Sequence, residues 1–169
     1  MTNLIHSVIW PAVAGNILWA FLYVAADPKV TGMSTWTKLI ALLAIGFYLS
    51  RDWIQRISVI FPDRWKYWGV DAALAAALAT FAIVTQLDRT WSGWVLAVAF
   101  AIAILGHCWG SWDPADKSKA IDPRTRAKFA AYNAIGLLIL GLGLIVPLPY
   151  AVFPPIAIGS VVLLFIFLG

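Results

Sequence analysis

The chain has 169 residues, of which 62% are hydrophobic and only 12% are charged, and its formal net charge is +4. Soluble domains are roughly 45–50% apolar and about 25% charged, so this composition excludes an ordinary water-soluble fold and predicts that lipid surrounds the chain. The positive charge does not indicate nucleic-acid binding, because the basic residues lie in short segments between apolar runs. The single cysteine, Cys108, excludes an internal disulfide and a Cys-x-x-Cys redox pair.

Six apolar runs follow one another along the chain, and most are close to the roughly 20 residues that a helix needs to cross a bilayer. They predict an all-α, polytopic transmembrane bundle that forms a single domain over residues 1–169. The expected helices are residues 4–26, 35–54, 68–87, 91–110, 129–146 and 150–168. The first run has no Lys or Arg ahead of it, so it lacks the charged region of a cleavable signal peptide and should be retained.

Pro11 and Asn16 are the unusual residues of the first helix. Pro11 has no backbone N–H and its ring clashes with the carbonyl of Ser7, so we expect a kink there. Asn16 lies near the middle of the helix. Its amide either lines a narrow polar path or makes one interhelical hydrogen bond, which is worth less than about 1 kcal/mol inside a membrane.

The second helix requires charged residues to reach a spanning length. The uncharged run 39–50 has 12 residues, so the helix must include the segment before it, the segment after it, or both. Lys38 should extend outward toward water. Asp52 is shorter, and it should pair with Arg56 one turn later or with Arg51. Two interpretations stay open: this end of the helix is an ordinary membrane boundary with a surface ion pair, or its charged residues lie within the membrane.

The third and fourth helices carry small residues at helical spacing, which allow close helix packing where the hydrophobic driving force is absent. We therefore expect the third helix at the centre of the bundle, and the His107 side of the fourth helix facing protein. The positions are Asp71, Ala75, Ala79 and Ala82 in the third helix, and Ala99, Ala103 and His107 in the fourth.

Prolines lie near the start of the expected fifth helix and within the last apolar run. Asp122 and Pro123 supply an N-cap and a proline at the first position. Pro154 and Pro155 interrupt the final apolar run and leave residues 156–169, which make about 21 Å of helix. The sixth helix is therefore expected to be short or irregular.

The distribution of Lys and Arg predicts orientation, because positively charged connections stay on the cytoplasmic side. With the N-terminus inside, nine basic residues fall in cytoplasmic connections and three fall outside, so both termini are expected in the cytoplasm. Most tryptophans then lie in interfacial belts, whereas Trp10 and Trp19 lie inside the first helix. The outer belt comprises Trp36, Trp91 and Trp94, and the inner belt comprises Trp53, Trp65, Trp68, Trp109 and Trp112.

Polar and titratable residues gather in the cytoplasmic half of this topology. Ionisable groups at membrane depth cost roughly 2.5–3.5 kcal/mol each, so they tend to be paired, to line cavities or to be functional. With Asn16 near mid-membrane, they are the candidate lining of an ion or solute path, with Asp71 and Asp52 as ion- or proton-binding groups. The cytoplasmic set comprises His6, Arg51, Asp52, Asp71, His107, Tyr132 and Asn133.

Two ligand predictions accompany this set. Arg124, Arg126 and Lys128, at the start of the fifth helix, are expected to contact anionic lipid head groups, each worth about 1 kcal/mol. His6 and His107 lie on the same side of the membrane, and opposed histidines can ligate haem, which is kept as a minor alternative. No other cofactor or metal site is expected.

The sequence favours a small channel or transporter for an ion or small solute in a bacterial inner membrane. We expect a homo-oligomer, because six thin helices leave little room for a pore in one copy. The alternatives are an accessory subunit of a larger membrane complex, or a haem- or lipid-binding protein at the cytoplasmic interface. Nucleotide loops, hydrolase motifs and a potassium-filter sequence are absent, so an enzyme is not favoured.

Overall fold

The computed structural model describes residues 5–26, 35–58, 65–87, 92–112, 123–146 and 152–168. Those residues form a π-helical turn and six α-helices, and they include no β-strand. The all-α fold with six helices predicted from the sequence is confirmed. The turn is Ile5–Ile9, and the helices are α1 (Trp10–Ala26), α2 (Thr35–Ser58), α3 (Trp65–Gln86), α4 (Ser92–Trp112), α5 (Pro123–Leu142) and α6 (Phe153–Leu168).

The break expected at Pro11 takes the form of a change in helix type. Pro11 is the second residue of α1, where its missing N–H costs little. The Ser7 carbonyl, which Pro11 cannot satisfy, lies in the π-helical turn Ile5–Ile9 directly before it.

Helix α2 includes both of its charged ends, as the length argument required. It has 24 residues and a length of about 36 Å, and it continues without interruption through Arg51. The expectation for Lys38 is wrong, because its side chain is 0% exposed. Extension toward water presumes an outward-facing position, whereas Lys38 shares the inward face of α2 with Leu42 and Ile45, both buried one and two turns later.

The last two helices begin at their prolines. Helix α5 starts at Pro123, six residues before the expected start. Helix α6 has 16 residues, about 24 Å, and it starts at Phe153, so Pro154 and Pro155 lie in its first turn instead of interrupting it. The first turn makes no use of the N–H groups that proline lacks, which explains why both are tolerated there.

The six helices form a ring in which each helix packs mainly against two others. Around the ring the order is α1, α2, α6, α5, α4 and α3, and α3 packs against α1 to close it. Smaller contacts between α2 and α3, and between α4 and α6, define two three-helix sets, α1–α3 and α4–α6. The expectation that α3 is central is wrong, because α3 occupies one position in the ring, between α1 and α4. Its small residues allow close packing against these two helices.

Two glycines explain the closest helix contacts. A Cβ atom at Gly106 in α4 would lie 2.9 Å from Cγ1 of Val70 in α3. A Cβ atom at Gly136 in α5 would lie 2.7 Å from both Phe100 of α4 and Val161 of α6. Each distance is shorter than real Cβ contacts allow, so these helices approach as they do only because a side chain is missing.

The outer surface of the bundle is apolar on every helix. Two segments, Ser7–Ala26 and Gly69–Gln86, are long and apolar enough to cross a membrane, and Ser92–Cys108 and Phe153–Leu168 are apolar but shorter. Contiguous apolar surface of this extent is rare on soluble monomers. The exposed large side chains include Leu18, Trp19 and Leu22 of α1; Trp36, Ile40, Leu43 and Phe47 of α2; Ile83 of α3; Trp94, Val98 and Leu105 of α4; Ile135, Leu138 and Leu142 of α5; and Leu163, Ile166 and Phe167 of α6.

Candidate functional site

Buried charged side chains lie at both ends of the bundle, and apart from the hydrogen-bonded residues Tyr48 and Asn133 the region between the ends is apolar. We call the end that holds the start of α3 and α5 the Asp71 end, and the end that holds the start of α2 and α4 the Lys38 end. Residues such as Ile45, Leu78 and Phe100 fill the bundle between the two ends, and all are almost completely buried. A polar solute inside the bundle would therefore find partners at its ends and none of this kind in the middle.

A hydrogen-bonded pair joins the α1–α3 set to the α4–α6 set, on the inner side of the Asp71 end. The hydroxyl of Tyr48 in α2 donates to Oδ1 of Asn133 in α5 over 2.9 Å, and both residues are buried. The Asn133 amide Nδ2 donates to the backbone carbonyl of Phe129 over 2.8 Å. Asn133 thus satisfies one neighbour and its own helix at once, which removes most of the cost of burying its amide.

Aromatic rings surround this pair and extend it to α4 and α6. Phe165 of α6 is the centre of the group, with ring centroids 5.8 Å from Tyr48, 5.0 Å from Phe129 and 5.4 Å from Tyr132. Tyr48 also meets Phe100 of α4 edge-on at 6.4 Å. These tilted and edge-to-face arrangements are the favourable ones for aromatic pairs, so four helices are held together at one level.

Asp71 and His107 lie at a close contact between α3 and α4. Asp71 is 6% exposed, and it follows Val70, the residue that approaches Gly106 of α4. His107 follows Gly106 and is half-buried, whereas Ala103, one turn earlier, is buried. The expectation that this side of α4 faces protein is met at Ala103, and Asp71 packs inside the bundle.

Arg126 completes the charged group at the Asp71 end. The ring of His107 lies 5.5 Å from that of Phe129 in α5, and Arg126 precedes Phe129 by one turn. Arg126 is 5% exposed. Three consecutive helices of the ring thus bring a carboxylate, an imidazole and a guanidinium to one level, and each of these three residues engages other groups in the structure. Buried charges persist only when they are compensated in this way.

The Lys38 end buries Lys38, Thr85 and Ser92. They lie in the first turn of α2, the last turn of α3 and the first position of α4. The Thr85 hydroxyl finds no hydrogen-bond partner in the part of the chain that the structure describes. A buried hydroxyl without a partner costs about 1–3 kcal/mol. Water, an ion or a solute that reached this end could form a hydrogen bond with the Thr85 hydroxyl and remove that cost.

The other predicted residues fall outside these buried groups. Arg51, Arg124 and Lys128 are exposed at the Asp71 end, and Asn16 is half-buried on α1. Arg124 and Lys128 thus remain accessible to head groups, whereas Arg126 points into the protein. Asp52 belongs to α2 and His6 to the π-helical turn, but the side chains of both lie outside what the structure describes.

The haem alternative has one described ligand candidate, His107, which packs against Phe129. Within the ranges that the structure describes, no group of three or more His, Cys, Asp or Glu side chains is placed to hold a metal ion. Haem ligation by His6 and His107 stays a prediction.

Sequence reasoning overlooked Tyr48, which makes the longest-range hydrogen bond of the site. A signal was present, because Ala41, Leu42, Ile45, Tyr48 and Leu49 recur at helical spacing and all are buried. A tyrosine on such a stripe brings its hydroxyl into the bundle and requires a partner there. No family model, curated protein or solved structure matches this chain.

Proposed function

We propose that this chain is an integral membrane protein whose six helices cross the inner membrane of a bacterium. The apolar outer surface of every helix supports the proposal, because in water it would be left exposed. The exposed charges Arg51, Arg124 and Lys128 all lie at the Asp71 end, which favours a cytoplasmic location for that end. Trp36 and Trp94 are exposed at the Lys38 end, where an outer aromatic belt would lie.

Within this membrane setting, we propose that the chain transports an ion or small solute. The observation that carries the proposal is the burial of charged side chains at both ends of the bundle with an apolar layer between them. Ionisable residues are expensive inside a membrane, and where they face a bundle interior they commonly mark transport paths. Asp71 is the proposed ion- or proton-binding group, and Arg126 and His107 lie at the same end of the bundle.

The apolar middle layer favours a carrier over a pore that is open within one copy. Phe81 and Phe100 are among the most deeply buried side chains, and they fill the space that a continuous water path would need. Transport then requires the α1–α3 and α4–α6 sets to move relative to each other, or a path between copies of a homo-oligomer. In the first case the α3–α4 and α2–α6 contacts, which join the two sets, would have to rearrange during transport.

Flux into liposomes tests the proposal. The purified chain is reconstituted, and entrapped dyes report the entry of protons, sodium and chloride under an imposed potential. We expect Asp71→Asn to reduce the active flux at least tenfold, because the amide cannot take up a proton or neutralise a cation. Arg124→Gln is the matched control, since it removes an exposed charge from the same end and should leave the flux unchanged.

Two outcomes would contradict the proposal. Flux no greater than that of protein-free liposomes for all three probes would reject their transport, and equal flux in wild type and Asp71→Asn would reject the role of Asp71. Membrane placement is measured separately, by extraction of native membranes with alkaline carbonate. Release of the chain into the soluble fraction would reject the membrane setting itself.

A further inference from the structure

An apolar groove lies on the outside of the bundle, between α1 and α2. Its volume is about 350 Å³, which is within the range of about 300–1,000 Å³ that small-molecule sites occupy. Residues 14–21 of α1 and 42–50 of α2 line it, with Gly46 among them. The groove lies outside the buried polar groups of the two ends, so the proposed transport does not account for it.

The dimensions of the groove select a narrow occupant. The lining segments extend over two turns of each helix, about 10–12 Å along the bundle. A volume of about 350 Å³ over that length leaves a cross-section of roughly 30 Å². An α-helix with its side chains is about 10 Å across and needs more than twice that area. A single hydrocarbon chain therefore fits inside the groove, whereas a partner helix would lie over it and insert only individual side chains.

The lining offers almost no hydrogen bonds to an occupant. Among the described lining residues Ser50 alone has a polar side chain, and the Ser50 hydroxyl donates to the carbonyl of Gly46 over 2.8 Å. The remaining lining residues are aliphatic or aromatic, apart from Gly46. A polar solute would lose its hydration here without compensation, whereas an acyl chain loses nothing.

A cation lies at one mouth of the groove. Arg51 follows the lining residue Phe47 by one helical turn, so the two side chains are neighbours on one face of α2. Arg51 is exposed, and α2 runs toward the Asp71 end, so the guanidinium marks the end of the groove where head groups would lie. A guanidinium binds phosphate oxygens with two parallel hydrogen bonds, which neutral head-group parts cannot match.

We propose that this groove binds a glycerophospholipid with an anionic head group, with one acyl chain along α1 and α2 and the phosphate on Arg51. The proposal rests on the membrane setting proposed above, and it does not depend on transport. It gives Arg51 a role in lipid recognition at the α1–α2 groove, distinct from the head-group contacts expected of Arg124 and Lys128.

Native mass spectrometry of the full chain in detergent tests the proposal, with dioleoyl phosphatidylglycerol and dioleoyl phosphatidylcholine as probes. We expect wild type to bind phosphatidylglycerol more tightly, and Arg51→Gln to weaken that binding about fivefold, the loss expected for one basic residue near a head group. Arg51→Lys, which keeps the charge, should restore most of the preference. Phosphatidylcholine has the same phosphate but balances its charge with choline, so its binding should weaken less in Arg51→Gln than that of phosphatidylglycerol.

Gly46→Leu tests the chain-binding part. A Cβ atom at Gly46 would lie 3.8 Å from Cγ2 of Ile17, an ordinary contact, and because Gly46 lines the groove a leucine there takes up space that the acyl chain needs. We expect it to weaken binding of both lipids. Gly141→Leu is the matched control, because Gly141 is exposed on α5 with nothing within 4 Å of its Cβ position, and it should bind both lipids normally.

Two outcomes would overturn the proposal: unchanged phosphatidylglycerol binding in Arg51→Gln, or unchanged lipid binding in Gly46→Leu. Because these are binding measurements, they are independent of flux. If the chain stays in carbonate-washed membranes but shows one of these outcomes, only the proposed lipid site is rejected. If carbonate releases the chain, the proposed membrane setting is rejected as well.

Discussion

The two ends of the bundle bury polar groups in different ways. Toward the Asp71 end, Tyr48 and Asn133 satisfy each other, and contacts of the Tyr48 ring with Phe165 and Phe100 connect the pair to α6 and α4. At the Lys38 end, the hydroxyl of Thr85 has no hydrogen-bond partner among the described residues. Satisfied polar networks hold neighbouring elements in one arrangement, whereas an unsatisfied group gains from any change that hydrates it. We therefore expect the Asp71 end to be the rigid one and the Lys38 end to open first.

The largest expected effect comes from Gly136, one turn after Asn133 in α5. Gly136→Ala places a methyl group 2.7 Å from Phe100 and Val161, so α4 and α6 must separate and the aromatic group loosens. Overpacking of this kind costs about 1–3 kcal/mol. Thermal unfolding in detergent measures it. Gly141→Ala is the control, since the same methyl group meets nothing there and should be neutral. Equal stability of the two variants would show that α5 does not fix its neighbours at this level.

A smaller effect is expected from the hydrogen bond between Tyr48 and Asn133. Tyr48→Phe leaves the buried Asn133 Oδ1 without its donor, and Asn133→Leu leaves the hydroxyl without its acceptor. Each change should lower the free energy of unfolding by about 1–2 kcal/mol. A double-mutant cycle should show a coupling of about 0.6–1.7 kcal/mol, as for interhelical hydrogen bonds in membranes. Additive effects would mean that the pair does not hold the two halves together.

The smallest effect is expected at the Lys38 end, and it has the opposite sign. Thr85→Val removes a buried hydroxyl that has no partner among the described residues, so we expect stability to rise by about 0.5–1 kcal/mol. If this end takes part in transport, flux should fall in the same variant. Thr80→Val is the control, because the Thr80 hydroxyl already donates to the Ala76 carbonyl over 2.8 Å in its own helix. A stability loss in Thr85→Val would remove the contrast between the two ends.

Helix positions were predictable where they depend on local chemistry. The 12 uncharged residues of α2 are too few to span, so the length argument required a charged end at Lys38, at Arg51 or at both, and the helix includes both. The proline effect at Pro11 and the start of α5 at Pro123 likewise depend on a missing N–H. The sixth helix was expected to be interrupted because Pro154 and Pro155 were taken as interior residues, and nothing nearby in the sequence marks Phe153 as the first residue of the helix.

The site was less predictable, because burial depends on which helices are neighbours. Lys38 and Arg126 have the same side-chain chemistry as basic residues that extend toward water, yet both are buried. Asp71 and Asn133 were found because a polar group on a small or apolar helix face is unusual by itself. Their partners lie on helices far along the chain, and no pattern in a single sequence specifies that pairing.

The closed ring also sets an order of assembly. Helices α1, α2 and α3 all contact one another, so they can associate as soon as the three have been synthesised. The contact between α6 and α2 is different, because it joins the helix that emerges after all the others to one made early. Until α6 arrives, Phe165 is missing and the Tyr48 side of α2 is uncovered. In the membrane setting proposed above, the nascent chain therefore passes during biosynthesis through an open intermediate with a polar, aromatic face turned to the bilayer.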